Sequence, residues 1–285
     1  MKLVYRAGLE HSGSTLAAHL LGGHPSSISL GEIAPFFSPG HMSAYMRKWG
    51  DYADATLCSC GKHWKECDFW AGLQELSGLY SDKPLTEKYK ALFGHVRAAF
   101  GRDAVIVDSS KSLPVLNTLS QDPSEMGLVP EDIFMALTVK DVRSFAASMI
   151  RKKPTGGTKL LAVLRSFNLW LFQNRQFVDY LDSHASMQHC VSLYEKLCQD
   201  TDGIINGLLE RIGLNALSNV DVSHNRSHIA MGNKNFTVRN KGRVSYDDAW
   251  YNDDAINLVY LLHRKARNLN KQIYGMSQAR CKSAP

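Results

Sequence analysis

The sequence lacks the features that mark secreted and membrane-spanning proteins. No run approaches the roughly 18 uninterrupted apolar residues of a membrane helix. The most apolar region, 160–181, is interrupted by Arg165, Asn174 and Arg175. The opening residues, MKLVYRAG, enter a strand-like pattern without an apolar stretch of signal-peptide length. We therefore expect a cytoplasmic protein with no membrane partner.

The chain also lacks a strong charge imbalance, internal repeats and low-complexity tracts. Its 285 residues are 44% hydrophobic and 21% charged, with a net charge of +6 from scattered basic residues. This composition is ordinary for a protein with a sizeable buried core. The mild positive charge suits a small anionic ligand better than a nucleic-acid duplex. We predict a single domain over 1–285 with no nucleic-acid partner, and the sequence does not fix its oligomeric state.

Cysteine is scarce, and three of the six cysteines fall in one segment, CSCGKHWKEC, as Cys58, Cys60 and Cys67. Three cysteines fall short of the two-pair spacing typical of zinc sites. His63 is a candidate fourth ligand, although its spacing is tight. The spacing favours a local disulfide or buried thiols over a metal site, and it leaves the redox state open.

Apolar runs alternate with helix-like stretches along the chain. Four runs read as strands: KLVYRAG, AVIVDSS, IFMALTVKD and HCVSLYEKL. This alternation predicts an α/β fold with a P-loop-like, mainly parallel sheet flanked by helices. Segment 36–102, between the first two predicted strands, is expected to be an inserted helical and loop region over the site. Ligands of such sheets bind beyond the carboxyl ends of the strands, where 8–15, 108–111 and 140–143 would lie.

The segment GLEHSGST has the outline of a nucleotide-triphosphate loop without its lysine. Gly8 and Gly13 have the required spacing and Thr15 closes the pattern, but Ser14 occupies the lysine position. Backbone N–H groups at a helix start bind phosphate without a lysine, and Ser12, Ser14 and Thr15 add hydroxyl donors. The missing lysine argues against a clamp on β- and γ-phosphates. A simple helix cap is an equal alternative on these residues alone.

A second candidate anion site is VKDVRSFAAS. Lys140 and Ser148 lie eight residues apart across a predicted strand-to-helix turn, with Arg143 in the first helical turn. This arrangement suits a second phosphate. An ordinary helix with a solvated arginine and a small packing serine is the alternative interpretation.

Taken together, these segments resemble those of the sulfotransferases that use 3′-phosphoadenosine 5′-phosphosulfate (PAPS), in their bacterial-type and tyrosylprotein-type branches. HSGSTLAAHLLGGHPSSISLGE resembles the 5′-phosphosulfate loop and VKDVRSFAASMIRK the 3′-phosphate motif. VIVDSSKS, VSLYEKL and HIAMGNK are similar to further segments of these branches. The resemblance extends from Lys2 to about Arg243. It implies transfer of a sulfonate group from PAPS to a hydroxyl or amine, for which we expect a small-molecule acceptor.

The resemblance also implies which residues bind PAPS and its product, adenosine 3′,5′-bisphosphate (PAP). Lys140 and Ser148 correspond to the 3′-phosphate site, and VRNKGRV resembles the loop over that phosphate, with Arg239 and Lys241 as candidates. Asn240 interrupts the family's usual arginine-lysine adjacency. Lys140 stands where arginine is usual, which keeps the charge but loses bidentate geometry. The 5′-phosphosulfate corresponds to the loop residues His11, Ser12, Gly13, Ser14 and Thr15.

Three residues are candidates for catalysis. Glu32 in SLGEI resembles the glutamate assigned as general base in the tyrosylprotein-type branch. Lys111 in DSSKS follows a predicted strand and would reach the sulfonate or leaving phosphate, with Ser109 and Ser110 beside it; a helix cap with an exposed lysine is the alternative. His11 stands where the family has lysine or arginine, so its charge depends on pH. The alternatives to Glu32 as base are His41, His63, His224 and His228.

Two other functions stay open at this point. A P-loop-like ATP-dependent kinase is opposed by the missing lysine, and Asp108 is its only candidate magnesium ligand. A catalytically inactive nucleotide-binding protein is suggested by His11 and Lys140. The transfer itself needs no metal, because cations and N–H groups supply the charge stabilisation. Segment 36–102 and the loop near Pro154 are expected to shape the acceptor pocket, and SFNLWLFQNRQFVDYL is expected to be core.

Overall fold

The computed structural model describes residues 1–37, 57–77, 83–152, 157–221, 227–230 and 246–280. Several residues singled out above lie outside these ranges. They are His41, His224, Arg239 and Lys241.

The described residues contain one sheet of five parallel strands in the order β2-β3-β1-β4-β5. The strands are β1 (Lys2–Gly8), β2 (Ser27–Gly31), β3 (Val105–Asp108), β4 (Ile133–Val139) and β5 (Gln188–Leu193). The prediction of a parallel α/β sheet is confirmed. Strand β4, IFMALTV, is buried along its whole length, as expected for a strand covered by helices on both faces.

The strand count predicted from the sequence was wrong by one. Strand β2, SISLG, is buried throughout although two of its five residues are serines. Because serines alternate with apolar residues in this strand, its sequence reads as part of the segment that resembles a phosphate loop. The predicted strand 189–197 is also shorter than expected, because β5 ends at Leu193 and a helix begins at Tyr194.

Helices cover the sheet and connect its strands. They are α1 (Ser14–Leu21), α2 (Ala34–Phe37), α3 (Asp68–Ser77), α4 (Leu85–Phe100), α5 (Leu113–Gln121), α6 (Val142–Lys152), α7 (Lys159–Ser183), α8 (Tyr194–Gln199), α9 (Thr201–Arg211), α10 (Asp254–Leu262) and α11 (Arg264–Arg280). Helices α3 and α4 lie within the segment predicted to be an insertion. No helix among the described residues is long and apolar enough to cross a membrane.

Side chains of β1 alternate between two hydrophobic cores, one on each face of the sheet. Leu3, Tyr5 and Ala7 belong to the larger core, whereas Val4 belongs to the smaller one, which includes residues of α1 and α9. Burying a side chain of this size contributes roughly 1.5–3 kcal/mol. The sheet is therefore held from both sides, which fixes the ends of its strands.

The central strands β1 and β4 position the site. They pair in parallel as far as Gly8 and Thr138. From β1 the chain proceeds to β2 and β3 on one side of the sheet, and β5 pairs with β4 on the other side. Ligands of open α/β sheets bind at such a reversal of strand order. The segments following Gly8 and Val139 therefore emerge at this position.

Candidate active site

The loop from Gly8 to Thr15 adopts a backbone that favours glycine at two positions. Gly8 has φ 138° and Gly13 has φ 87°, and His11 between them is also left-handed at φ 64°. A Cβ atom on Gly8 would lie 2.4 Å from the Thr138 carbonyl oxygen, and one on Gly13 would lie 2.3 Å from the Tyr194 ring. Turns that include left-handed residues can direct backbone N–H groups toward a common anion. The loop is therefore a candidate anion cradle.

Helix α1 begins at Ser14 directly after this loop. Its N-cap, Gly13, makes no side-chain capping bond, so the first helical N–H groups keep their capacity for a ligand. The Ser12 side chain is 1% exposed, and its hydroxyl has no hydrogen-bond partner among the described residues. An unsatisfied buried hydroxyl beside an uncapped helix start fits an anionic group. Gly13 thus caps α1 through its backbone alone, and the assignment of the loop to a phosphosulfate stays a prediction.

Lys140 and Ser148 meet as their spacing suggests. The Lys140 ammonium donates to the Ser148 hydroxyl over 2.8 Å and lies 4.5 Å from the centre of the Tyr194 ring. Burial lowers the pKa of Lys140, and the charges of Asp247 and Glu195 oppose that effect. Because Tyr194 also packs against Gly13, one ring joins the two candidate anion sites. Tyr194 was missed as a site residue, although it lies in the segment VSLYEKL.

Asp247 faces the same lysine from the start of the described segment 246–280. Its carboxylate lies 3.8 Å from the Lys140 ammonium and accepts hydrogen bonds from Arg151. Although burial alone would raise the pKa of Asp247, the bonds from Arg151 and the charge of Lys140 lower it. Two cations thus converge on one carboxylate at the position considered for the second phosphate.

Arg143 does not belong to this group. Its Nε and Nη2 atoms each donate over 2.9 Å to the carboxylate of Asp141. Its guanidinium also lies over the rings of Trp250 and Tyr260, at 4.1 and 4.4 Å from their centres. The suggestion that Arg143 accompanies Ser148 at a phosphate is therefore not supported, because Asp141 takes its Nε and Nη2 donors and its guanidinium stacks on two aromatic rings.

Glu32 and Lys111 form an ion pair at the ends of β2 and β3. The Lys111 ammonium donates to the Glu32 carboxylate over 2.6 Å, and the two side chains are only 13% and 19% exposed. Lys111 has a left-handed backbone at φ 62°, which is uncommon for a residue with a side chain. The alternative of an exposed lysine after a helix cap is wrong, and the residue that caps α5 is Ser112.

Asp108 organises the backbone around this pair. Its fully buried carboxylate accepts bonds from the Tyr89 hydroxyl and from the Ser110 N–H. The Ser110 hydroxyl in turn accepts the N–H groups of Ile33 and Ala34, directly after Glu32. Burial raises the pKa of Asp108 to about 6, moderated by its bonds from Ser110 and Tyr89. Asp108 is thus committed to a structural network, which argues against its use as a magnesium ligand.

A cavity of about 890 Å³ opens beside the ion pair, within the size range of small-molecule sites. Gly8, Glu32 and Lys111 line one side of it. Helices α5, α6 and α7 supply other walls, with Leu113, Phe145, Met149, Leu169, Gln173 and Tyr180.

These walls differ from the expected ones. No described residue of 57–77 or 83–102 lines the cavity, and the loop near Pro154 lies largely outside the described residues. The aromatic segment on helix α7 has two faces. Phe167 and Trp170 belong to the core, whereas Leu169 and Gln173 face the cavity. The interpretation of this segment as core alone was therefore incomplete.

The described histidines proposed as alternative bases lie in other settings. His63 accepts the Lys65 N–H at the start of a short 3-10 turn. His228 stacks on Phe69 beside the cysteine segment. His184 was not considered from sequence but lines the cavity, stacked on Tyr180 with ring centres 4.0 Å apart. No sequence pattern pointed to His184, because it is a single histidine at the end of a helix.

The clustered cysteines are thiols in the structure. Cys58, Cys60 and Cys67 are all free, so of the two states that the sequence left open, a local disulfide or buried thiols, the structure has thiols, with Cys58 and Cys67 buried and Cys60 exposed. The imidazole close to them is that of His228 and not that of His63.

Comparison with solved structures finds similarity to sulfotransferases. The sulfotransferase domain of the Synechococcus PCC 7002 olefin synthase matches with a TM-score of 0.54 at 15% identity, over 100% of this chain and 96% of that one. A sulfotransferase domain from the curacin biosynthetic pathway gives 0.48 at 14% identity over 93% and 98% of the two chains. Sulfotransferase STF9 from Mycobacterium avium gives 0.42 at 10% identity over 76% and 65%.

The chain therefore has the sulfotransferase fold, as the sequence resemblance implied. At such low sequence identity the structural similarity establishes the fold alone, so the donor, the acceptor and the mechanism depend on the residues of the site. Neither a protein-family model nor a curated protein matches the sequence.

Proposed function

We propose that this protein is a sulfotransferase that moves a sulfonate group from PAPS to a hydroxyl or amine of a small-molecule acceptor. One observation carries the proposal. Two candidate anion sites, the loop 11–15 and the pair Lys140–Ser148, meet at Tyr194, and Gly8 of the first loop lines the cavity that holds Glu32 and Lys111. A donor with two separate phosphates and an adjacent acceptor space requires this combination.

The residues present fit PAPS. The cradle of Gly8–Thr15, with the buried Ser12 hydroxyl and the start of α1, suits a single 5′-phosphosulfate rather than a triphosphate. Lys140 and Ser148 suit the 3′-phosphate, with Arg239 and Lys241 proposed as further ligands from the undescribed segment. In this structure the Asp247 carboxylate pairs with Lys140 and Arg151. We propose that the 3′-phosphate displaces this carboxylate and binds in its place.

The residues lining the cavity can supply the chemistry of transfer. PAPS, when bound, supplies an activated sulfonate. The acceptor oxygen or nitrogen forms a bond to sulfur as the bond between sulfur and the 5′-phosphate oxygen breaks. Glu32 takes the acceptor's proton as general base, and Lys111 and His11 stabilise negative charge on the sulfonate and leaving phosphate. Glu32 and Lys111 line the cavity, whereas His11 lies in the neighbouring loop 11–15.

The donor is tested by ligand-induced thermal stabilisation. PAP at about 100 times its dissociation constant stabilises a protein by about 2.7 kcal/mol. We expect a clear rise of Tm with PAP and none of comparable size with ATP and Mg²⁺. A rise with Mg-ATP and none with PAP contradicts the proposal and favours the kinase.

The base is tested by Glu32→Gln in an assay that follows PAP release with a screened acceptor, with product mass as the readout. We expect turnover to fall by about 10²–10⁴-fold while PAP binding is retained. Glu125→Gln, at an exposed position outside the site, is the matched control. A Glu32→Gln enzyme with wild-type turnover rules out Glu32 as the base.

A further inference from the structure

Three cysteines and one histidine converge at the outer edge of the sheet, outside the cavity and the two anion sites. One ligand atom from each of Cys58, Cys60, Cys67 and His228 lies within 4.8 Å of all the others. We refer to these four residues as the Cys3His cluster. From this arrangement we propose that the cluster binds one zinc ion as a structural site.

Three separations within the cluster lie close to the edges of a tetrahedral zinc site, and all of them are within 4.8 Å. Zinc–sulfur bonds of about 2.3 Å and zinc–nitrogen bonds of about 2.0–2.1 Å imply edges of about 3.8 Å between sulfurs and about 3.5 Å between sulfur and nitrogen. The sulfurs of Cys60 and Cys67 are 3.7 Å apart. Nδ1 of His228 lies 3.7 Å from the Cys58 sulfur and 3.1 Å from that of Cys67.

The first two ligands sit on a tight turn that aims both sulfurs to one side. The Cys58 N–H donates to the Lys62 carbonyl over 2.9 Å, and the Gly61 N–H donates back to the Cys58 carbonyl over the same distance. Gly61 has φ 90°, a conformation that other residues rarely adopt. The glycine of CSCG thus closes a turn with cysteines on either side of Ser59.

The histidine is held by its own neighbours. The His228 N–H donates to the Ser29 carbonyl over 3.0 Å, and the His228 carbonyl accepts the Trp70 indole N–H over 2.7 Å. The Phe69 ring stacks on the imidazole with ring centres 5.0 Å apart. Such supporting contacts orient a metal ligand before the ion arrives.

Four protein donors close a tetrahedral shell, which distinguishes a structural zinc ion from a catalytic one with an open position. The ion would fasten segment 57–67 to residues 227–230, which in turn bond to the edge strand β2 at Ser29. Strand β2 ends one residue before Glu32. The zinc site would therefore anchor the strand that directly precedes the proposed base, Glu32. The structural role of the zinc site does not depend on whether Glu32 acts as the base.

The test uses the full chain purified without a histidine tag and dialysed against a weak chelator. We expect about one zinc ion per chain by elemental mass spectrometry. Cys67→Ser and His228→Ala should each lose most of it, whereas His63→Ala and Cys198→Ser, at residues outside the cluster, should retain it. The His63 and His228 variants form a matched pair, because both histidines lie near the same cysteines.

Wild-type protein provides the second measurement, which does not depend on the variants folding. Exchange with cobalt(II) should produce the visible absorption of tetrahedral cobalt with thiolate ligands, and removal of the metal by a strong chelator should lower Tm. A zinc-free protein without the cobalt spectrum overturns the proposal. So does a disulfide among Cys58, Cys60 and Cys67 in the freshly purified protein, detected by mass after alkylation.

Discussion

The replacement of Lys140 by methionine tests the second anion site most directly. Methionine has a similar length and apolar stem but no charge and no donor. The lysine side chain is 5% exposed, and its ammonium contacts Ser148, Asp247 and the Tyr194 ring. Its backbone carbonyl separately accepts the Trp170 indole N–H over 2.8 Å, and that bond is unaffected by the substitution.

The expected loss is specific to ligand binding. A hydrogen bond to a charged group contributes about 1.5–3 kcal/mol, which corresponds to a loss of PAP affinity of about 10- to 150-fold. Stability should change less, because Asp247 keeps Arg151 as its partner and burial already disfavours the lysine charge. The substitution therefore separates binding from folding.

Isothermal titration with PAP measures the affinity, and thermal melts monitored by circular dichroism measure the stability. Lys90→Met, at an exposed position on α4, is the matched control and should bind PAP normally. If folded Lys140→Met protein binds PAP within about twofold of wild type, well under the 1.4 kcal/mol of a tenfold change, the assignment of Lys140 to the 3′-phosphate is wrong.

Three further predictions follow from particular contacts. Gly13→Ala places a Cβ 2.3 Å from the Tyr194 ring at φ 87°, so we expect a lower Tm by melting and loss of PAP stabilisation; Gly207→Ala, with open space around its Cβ, should keep both. Asp247→Asn removes the carboxylate that competes for Lys140, so PAP affinity should rise in titration; an unchanged or lower affinity refutes the exchange proposed here. Burial raises the pKa of Asp108 from 3.8 to about 6, so its favourable contribution to stability is complete below about pH 3.8 and is lost as pH rises through about 6. In urea denaturation, the free energy of unfolding of the wild type should fall by up to about 3 kcal/mol relative to that of Asp108→Asn as the pH rises through this range. A difference between the two proteins that does not change with pH contradicts the prediction.

Much of the fold follows from local pattern. Strands such as IFMALTV are continuous apolar runs because helices cover both of their faces, and that pattern is visible in sequence. Strand β2 escaped detection because its serines are buried against neighbouring backbone and side chains; the Ser29 N–H, for example, bonds to the Ser227 hydroxyl. The strand is buried by β3 and by residues 227–230, which lie far along the chain and which no local pattern reveals.

The sequence by itself determined the glycine spacing of the phosphate loop, the separation of Lys140 from Ser148, and the alternation of strands and helices. Each depends on residues within one or two turns of each other. Three contacts depend on the tertiary structure: Glu32 pairs with Lys111, Tyr194 joins the two candidate anion sites, and His228 rather than His63 lies beside the cysteines. These contacts join residues that lie from 54 positions apart, for Lys140 and Tyr194, to 181 positions apart, for Gly13 and Tyr194, so their partners are chosen by packing.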